Sequence, residues 1–431
     1  MKKPYPSKEK IMLLFGALVL YASIAIVIAI LVSAGVLQKS PPPLVEMERD
    51  DSLADFSEHS ILPYLQSAQQ FLNNHMVEEN GHINLYIAVG NNTNLSDLNT
   101  NSEAVSYYLL WAAQERDKEK FDKQLEFLQS QMIHPKLGYM MWRLTSNDSV
   151  VSDGSNIATD ADLRAIKALL IAEKQWHDEK YTKMINQLAQ GIETVAITKD
   201  GYLAPYAGVS GESTWTADEV WLSYTDFAVL NELSNRIGAP WPSVYDKMKK
   251  ATLKAQLENG LYNPMLTTTR KYGNAIDAEG YSINSMWMMV RNAESGDYEL
   301  MQSAHKSLQF YKNKFKVDAE LYAKYGSNGD ALSPSDSPWV YALVGRAAIA
   351  LDDKEFSEQM MQKLIEQQVS NNQSAYYGAF PEGYGNESVI GQFTLQESIL
   401  TMQEFLKKEG TGQNGLTVKK NVQEVKNNER N

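Results

Sequence analysis

Two short acidic clusters hold the residue types best suited to chemistry: Ser102-Glu103-Ala104 and Ala158-Thr159-Asp160-Ala161-Asp162. Each opens a run with helical periodicity, SEAVSYYLLWAAQ in the first case and ATDADLRAIKALLIAEKQW in the second. First-turn carboxyls point toward the loop end of their helix. Carboxyls from separate helices that converge on one mouth are what glycosidic cleavage needs: one protonates the leaving oxygen while another activates water or the sugar carbon.

SEA followed by a helix of small and aromatic residues, then ATDAD with an amphipathic helix ending at Trp176, resembles glycoside hydrolase family 8. Members of that family typically read SEG…YG in the first element and (A/S)DAD in the second. Leu222-Ser223-Tyr224 resembles the family's PSY element, and Gly280-Tyr281-Ser282 resembles the approach to its late catalytic helix. The resemblance runs from about residue 57 to about residue 408. A plainer reading competes with it. Thr100-Asn101-Ser102-Glu103 and Thr159-Asp160-Ala161-Asp162 both fit the capping pattern [ST]-x-x-[DE]. Capping does not account for both clusters occurring at the family's separation, and a first-turn carboxyl can do both jobs.

The resemblance implies an inverting reaction with Glu103 as the acid, and with Asp160 binding and distorting the sugar at the cleavage point. Asp162 would support Asp160 or cap the helix. A helix N-terminus favours the carboxylate, so burial or a nearby carboxylate such as Asp160 must outweigh it if Glu103 is to hold a proton near neutrality. The base is where this chain departs from the family. Many members carry an Asp in Y-S-Y-D-A-x-R; here the run is Tyr281-Ser282-Ile283-Asn284-Ser285-Met286-Trp287, with Asn284 at the Asp position and Trp287 at the Arg position. An amide cannot take a proton from water at neutral pH. Some members with Asn there draw the base from the preceding loop, which implies Asp277 or Glu279 in NAIDAEG; Asp226 in SYTD is a further candidate. Substrate contacts are expected from Asp162, Tyr224, Asp226, Tyr281, Asn284, Trp142 and Trp215.

Composition narrows the function classes. A net charge of −13 over 431 residues argues against nucleic acid, and it fits a neutral or amino-sugar polymer better than a uronate. There is no cysteine, which removes disulfides, thiolate catalysis and Cys-ligated metals. The six histidines form no H-E-x-x-H or H-x-H pattern, and no G-x-S-x-G elbow or phosphate-cradling loop occurs. No metal or cofactor is expected. A uronate lyase would want a Tyr/His/Arg group that the chain does not offer at an identifiable place.

Residues 11–38 carry no charge and are long enough to cross a membrane once. Lys2, Lys3, Lys8 and Lys10 precede them, and Glu46, Glu48, Asp50 and Asp51 come soon after. The positive-inside rule makes 1–10 a cytoplasmic stub and exports the chain beyond the span. A cleaved signal peptide is the alternative, but its apolar region usually runs about 7–15 residues. Expected localisation is therefore the cell membrane, single-pass, with an extracytoplasmic domain in a Gram-positive-type envelope. The rest divides into a Pro-rich spacer at 39–56, a glycosidase-like domain at 57–408, and a disordered tail at 409–431.

The elements that must position the carboxyls read as helices throughout. The periodicity predicts twelve, at 57–77, 102–114, 116–133, 159–176, 179–194, 223–237, 241–257, 281–294, 297–314, 336–350, 353–369 and 392–408. Short and long connections alternate, which suggests an all-α, six-hairpin (α/α)6 toroid. The resemblance implies the same fold. The long loops hold Trp142, Tyr202, Tyr206, Trp215, Tyr262, Tyr272, Tyr376 and Tyr377, aromatics that could stack on sugar rings. Arg164, Lys167 and Lys174 read as the solvated face of the ATDAD helix. Two functions remain. One is a membrane-anchored endo-glycosidase acting on a cell-surface exopolysaccharide, with a polysaccharide synthase complex as a further partner. The other is a glycosidase-like protein without a base, which binds nascent polymer and assists its export.

Overall fold

The computed structural model describes residues 58–409, apart from 91–92, 279, 334–336 and 384–387. The predicted membrane segment, the spacer and nearly all of the tail lie outside the described residues. Among the described residues, no helix is long and apolar enough to cross a membrane.

Twelve long helices occur among the described residues. They are α1 (Glu58–Phe71), α2 (Ser102–Glu115), α3 (Lys118–Phe127), α4 (Thr159–Trp176), α5 (Glu179–Val195) and α6 (Phe227–Arg236). The rest are α7 (Trp241–Ala255), α8 (Ile283–Ala293), α9 (Tyr298–Asp318), α10 (Pro338–Ala350), α11 (Lys354–Ile365) and α12 (392–409). Even-numbered helices form an inner ring. α2 packs on α4, α4 on α6, and α8 on α10, while side-chain bonds tie α12 to both α10 and α2. The composition of each helix explains its layer. Every residue of α2 from Ala104 to Ala113 is buried, as a helix apolar on all sides should be. α5 instead buries one stripe, Tyr181, Met184, Ile185, Leu188 and Ile192, and leaves its other face to solvent.

The loops are more ordered than the all-α expectation allows. Among the described residues they contain eleven strands of two to five residues: β1 (Tyr86–Ala88), β2 (Thr100–Asn101), β3 (Arg143–Leu144), β4 (Ile157–Ala158), β5 (Tyr206–Ser210), β6 (Ser213–Thr216), β7 (Val220–Trp221), β8 (Met265–Leu266), β9 (Tyr272–Gly273), β10 (Pro381–Glu382) and β11 (Val389–Gly391). They pair as four antiparallel sheets, β1-β11-β10, β2-β3, β4-β5-β6 and β7-β8-β9. Strands β2, β4 and β11 run directly into α2, α4 and α12, and β7 enters α6 through a single turn at Leu222–Tyr224. The sheets therefore fix where inner helices begin. That is the end of the ring where the acidic clusters lie.

The axis of the ring is polar. Lys167 of α4 donates to Asp226 at the start of α6 (3.3 Å) and to Glu294 at the end of α8 (2.6 Å). Arg291 of α8 also reaches Asp226 (2.6 Å), and Arg346 of α10 reaches Glu294 (2.5 Å) and Glu397 of α12 (2.8 Å). Gln114 of α2 donates to Glu404 of α12 (3.2 Å). All six inner helices thus contribute to one buried network. Arg164 and Lys167 belong to this axis rather than to a solvated face; of the three cations on α4, Lys174 is the exposed one.

Candidate active site

Glu103 sits in the first turn of α2, but it does not cap that helix. The cap is Asn101, whose side chain accepts from the Ala104 N–H at 2.8 Å. At α4 the expected capping box is likewise absent: Thr159 donates instead to the carbonyls of Ala204 (2.5 Å) and Pro205 (2.8 Å), locking the start of α4 to the segment leading into β5. The carboxyls of Glu103 and Asp160 are therefore free of capping duty. Gly391, at the end of β11, allows a close approach here. A Cβ on it would lie 3.1 Å from the Tyr86 ring and 3.2 Å from a Glu382 oxygen.

Burial pushes the Glu103 carboxyl up to about 7. The Arg164 cation opposes this, Asp160 adds to it, a hydrogen bond from Gln392 opposes it, and Glu397 adds a smaller rise. Burial thus outweighs the helix end and the nearby cation, and Glu103 is half protonated near neutral pH. Asp160 is held by Arg164 at 3.0 Å, an i,i+4 pair on α4. Arg164 is itself fixed by Ser106 (3.0 Å) and by the ring of Tyr107 (4.1 Å to its centre). It also lies 5.6 Å from the centre of Trp287, the residue that stands at the family's Arg position.

Asp162 is fully buried and accepts from the Met140 N–H at 3.0 Å, tying α4 to the segment that carries Trp142. Burial holds its carboxyl well above the usual range. Tyr224 lies within electrostatic reach of both Asp160 and Glu103, and burial raises its hydroxyl far above its ordinary value. From Tyr224 an aromatic wall continues through Trp221 (5.0 Å between ring centres) to Tyr206 (5.9 Å) and Trp215 (6.0 Å). Trp142 donates its indole N–H to the Asp153 carbonyl (3.1 Å), and Tyr281 donates its hydroxyl to Asn263 (3.1 Å). Tyr262, grouped by sequence with the loop aromatics, is a core residue: it is fully buried with its hydroxyl on Ser303.

The three candidates for the base fare differently. Asp226 caps α6 through the Val229 N–H (3.1 Å) and is buried between Lys167 and Arg291. Burial raises its pKa, but the two cations outweigh burial and hold it below the carboxylate range. An anion enclosed by two cations is poorly suited to accept a proton or a sugar hydroxyl. Glu279 lies outside the described residues. Asp277 is buried and organises the start of α8, accepting from Ser282 N (2.9 Å), Asn284 N (3.2 Å) and Asn284 Nδ2 (2.9 Å). Burial raises its pKa against these bonds. Asn284 in turn accepts from Ser223 Oγ (2.7 Å), which links the LSY turn to the loop before α8. Sequence reasoning missed Arg164 and Gln392. The first had a visible signal, its i,i+4 spacing from Asp160; the second had none. Among the described residues, no cluster of three or more His, Asp or Glu side chains could hold a metal ion.

Comparison with known proteins agrees with this geometry. The model of glycosyl hydrolases family 8 matches residues 64–380. Endoglucanases of Escherichia coli O157:H7 and of strain K12 are each 26% identical over 164 residues, 36% of this chain. That match spans only 44% of their length. A novel alpha-amylase from Clostridium perfringens superposes with a TM-score of 0.68 at 24% identity, covering 79% of this chain and 97% of that one. PssZ from Listeria monocytogenes gives 0.59 at 16%, covering 78% and 94%, and a beta-1,3-1,4-glucanase from Paenibacillus sp. X4 gives 0.61 at 16%, covering 81% and 93%. At these identities the structural likeness is one of fold. The family match covers most of the chain, including both acidic clusters, and the chain belongs to glycosyl hydrolases family 8, enzymes that hydrolyse O-glycosyl bonds.

Proposed function

We propose that this chain is an endo-acting, inverting glycoside hydrolase, tethered outside the cell by residues 11–38, that cleaves a cell-surface or secreted polysaccharide. The observation that carries the reading is Glu103: a carboxyl raised to about 7 by burial, beside the Asp160–Arg164 pair at the start of two inner helices. Such a group can give its proton to a glycosidic oxygen at neutral pH and be reprotonated afterwards. Asp160, held in one orientation by Arg164, is placed to bind sugar hydroxyls. The aromatic wall from Tyr224 to Trp215 supplies faces for sugar rings. Inversion further needs a base about 6.5–9.5 Å from the acid. That role falls to Asp277 or Glu279 of the loop before α8. The charge-free span, with lysines before it and acids after it, supports the membrane orientation.

Asn284 favours a second reading. It stands at the family's base position, and its amide occupies a lone pair of Asp277. A protein with the acid and without a base would bind polymer and assist its export, alone or with a synthase. One experiment separates the two. The purified full chain is incubated with β-linked glucans, xylan, chitosan and starch, together with the host's own surface polysaccharide. New reducing ends support the hydrolase; binding without cleavage supports the second reading. In an active enzyme, Asp277→Asn and Glu279→Ala are then assayed with azide as external nucleophile. Loss of activity with azide rescue identifies the base, and full activity in both variants removes both candidates.

A further inference from the structure

Glu103 has two oxygens, and only one of them can be protonated toward a sugar. Gln392, the first residue of α12, donates from Nε2 to Glu103 Oε2 at 3.1 Å. Amide oxygen and nitrogen are interchangeable in shape, so the direction of that bond needs an independent anchor. The anchor is a backbone carbonyl. Gln396, one turn along α12, donates from Nε2 to the Ala104 carbonyl (3.1 Å), an atom that can only accept. The same Nε2 donates to Gln392 Oε1 at 2.8 Å. Gln392 is left with only its N–H to present to Glu103. Both glutamines are buried, Gln396 completely, so neither direction can be averaged by water.

We infer that Gln392 and Gln396 form a directional amide relay that makes Oε2 the acceptor oxygen of Glu103 and places the catalytic proton on Oε1. The inference rests on the hydrolase reading and deepens it; both glutamines are positioning residues and neither touches the reacting atoms. An oxygen that accepts a hydrogen bond from an amide serves as the carbonyl oxygen of a protonated carboxyl, and the hydroxyl is then the other one. Among the described residues Oε1 makes no hydrogen bond, so its proton is free for a ligand. The relay also closes on itself: it starts at the backbone of Ala104 and returns to the side chain of the preceding residue. The position of the acid is thereby linked to the register of α12 against α2.

The other charged groups around Glu103 cannot set this direction. Arg164 and Asp160 on α4 and Glu397 on α12 act on it through space and shift its proton affinity, while the hydroxyls of Tyr86, Tyr107 and Tyr224 are themselves raised by Glu103; none of these groups donates a hydrogen bond to it among the described residues. The donor from Gln392 favours the anion, so its loss moves the Glu103 titration upward. A hydrogen bond to a charged group corresponds to a shift of about one pH unit.

The test uses the full chain and the variants Gln392→Leu and Gln396→Leu. Infrared difference spectra follow the Glu103 carboxyl against pH, with its band identified by loss in Glu103→Gln; this readout needs no turnover. The expected result is an upward shift of about one unit in Gln392→Leu. A smaller shift of the same sign is expected in Gln396→Leu, where Gln392 is free to turn over. On an unactivated glycan both variants should lose about tenfold in kcat, with little change in KM. On an aryl glycoside whose leaving group needs no proton the loss should largely vanish. An unchanged Glu103 titration in both folded variants overturns the relay, as does an equal loss on both substrates, the mark of general distortion. If wild type cleaves neither substrate, the hydrolase reading fails, while the titration still decides the relay.

Discussion

Glu103 and Asp226 lie at the starts of two inner helices, α2 and α6, in the same helix-end field, yet their proton affinities move in opposite directions, and the less exposed of the two, Asp226, is the one that is lowered. Asp226 caps its helix and touches two cations, Lys167 and Arg291. Glu103 leaves capping to Asn101, and its nearest cation, Arg164, is shared with Asp160. The lesson concerns balance rather than depth. Deep in the ring every carboxylate touches at least one cation and serves the fold; at the mouth Arg164 is taken by Asp160, and Glu103, which makes no ion pair among the described residues, keeps a proton. The helix end, worth about 0.3–1 kcal/mol, is too weak to reverse either outcome.

The largest way to break the comparison is at the mouth. Glu103→Gln keeps the shape and removes the proton, so activity on an unactivated glycan should fall by about 10²–10⁴-fold with little change in stability near pH 5. Steady-state kinetics beside thermal melts checks both halves. Turnover near wild type would reduce Glu103 to an ordinary first-turn residue. The deep region should answer the other way. Arg346→Met leaves Glu397 buried without its cation and Glu294 with Lys167 alone, which should cost about 3–5 kcal/mol in denaturant unfolding. A loss below about 1 kcal/mol would mean that the axis is wet and its charges are screened.

The pH dependence sharpens the contrast. Glu103 is raised in the folded chain, from 4.5 to about 7. Its contribution to stability is complete below pH 4.5 and is lost as pH rises toward about 7. Asp226 is depressed, so its contribution is present at neutral pH and is lost only in acid, below the ordinary carboxylate range. Glu103→Gln should therefore flatten the stability profile between about pH 4.5 and 7 and leave the acid side unchanged. Asp226→Asn should alter the acid side. The same titration sets the alkaline limb of kcat/KM near pH 7. A wild-type limb more than two units higher would show that the bound state, or another group, controls the proton.

The twelve helices were legible because a helix with a dry face declares its period. Even α4, α8 and α12 kept that signal while carrying charges. Those charges were not legible, for a physical reason. An inner helix of the ring has two buried sides, one against the outer layer and one against the axis, and the axial side is polar. Arg164 and Lys167 therefore look like a solvated face, and only the companion helices reveal that Asp226 and Glu294 wait opposite. Glu103 and Asp160 were visible through local motif. Gln392, 289 residues from Glu103 in the chain, carries no local mark at all. The short strands escaped because two-residue ladders leave no alternating pattern.

The smallest effect tests why Glu103 is free to act. If Asn101 does the capping, Asn101→Ala should cost about 0.5–2 kcal/mol of stability. The hydroxyl of Thr100, which a capping box would use, and that of Ser102, the first residue of α2, are buried and make no hydrogen bond among the described residues. Ser102→Ala removes one such hydroxyl and should therefore be neutral or slightly stabilising. A cost for Ser102→Ala equal to that for Asn101→Ala would return capping to the SEA cluster itself. Neither variant should move the acid's titration by more than a few tenths of a unit, since an N-cap bond ends on the backbone of Ala104. A larger shift in Asn101→Ala would mean that the frayed first turn reorients Glu103, and that the cap, together with burial, keeps the proton on the acid.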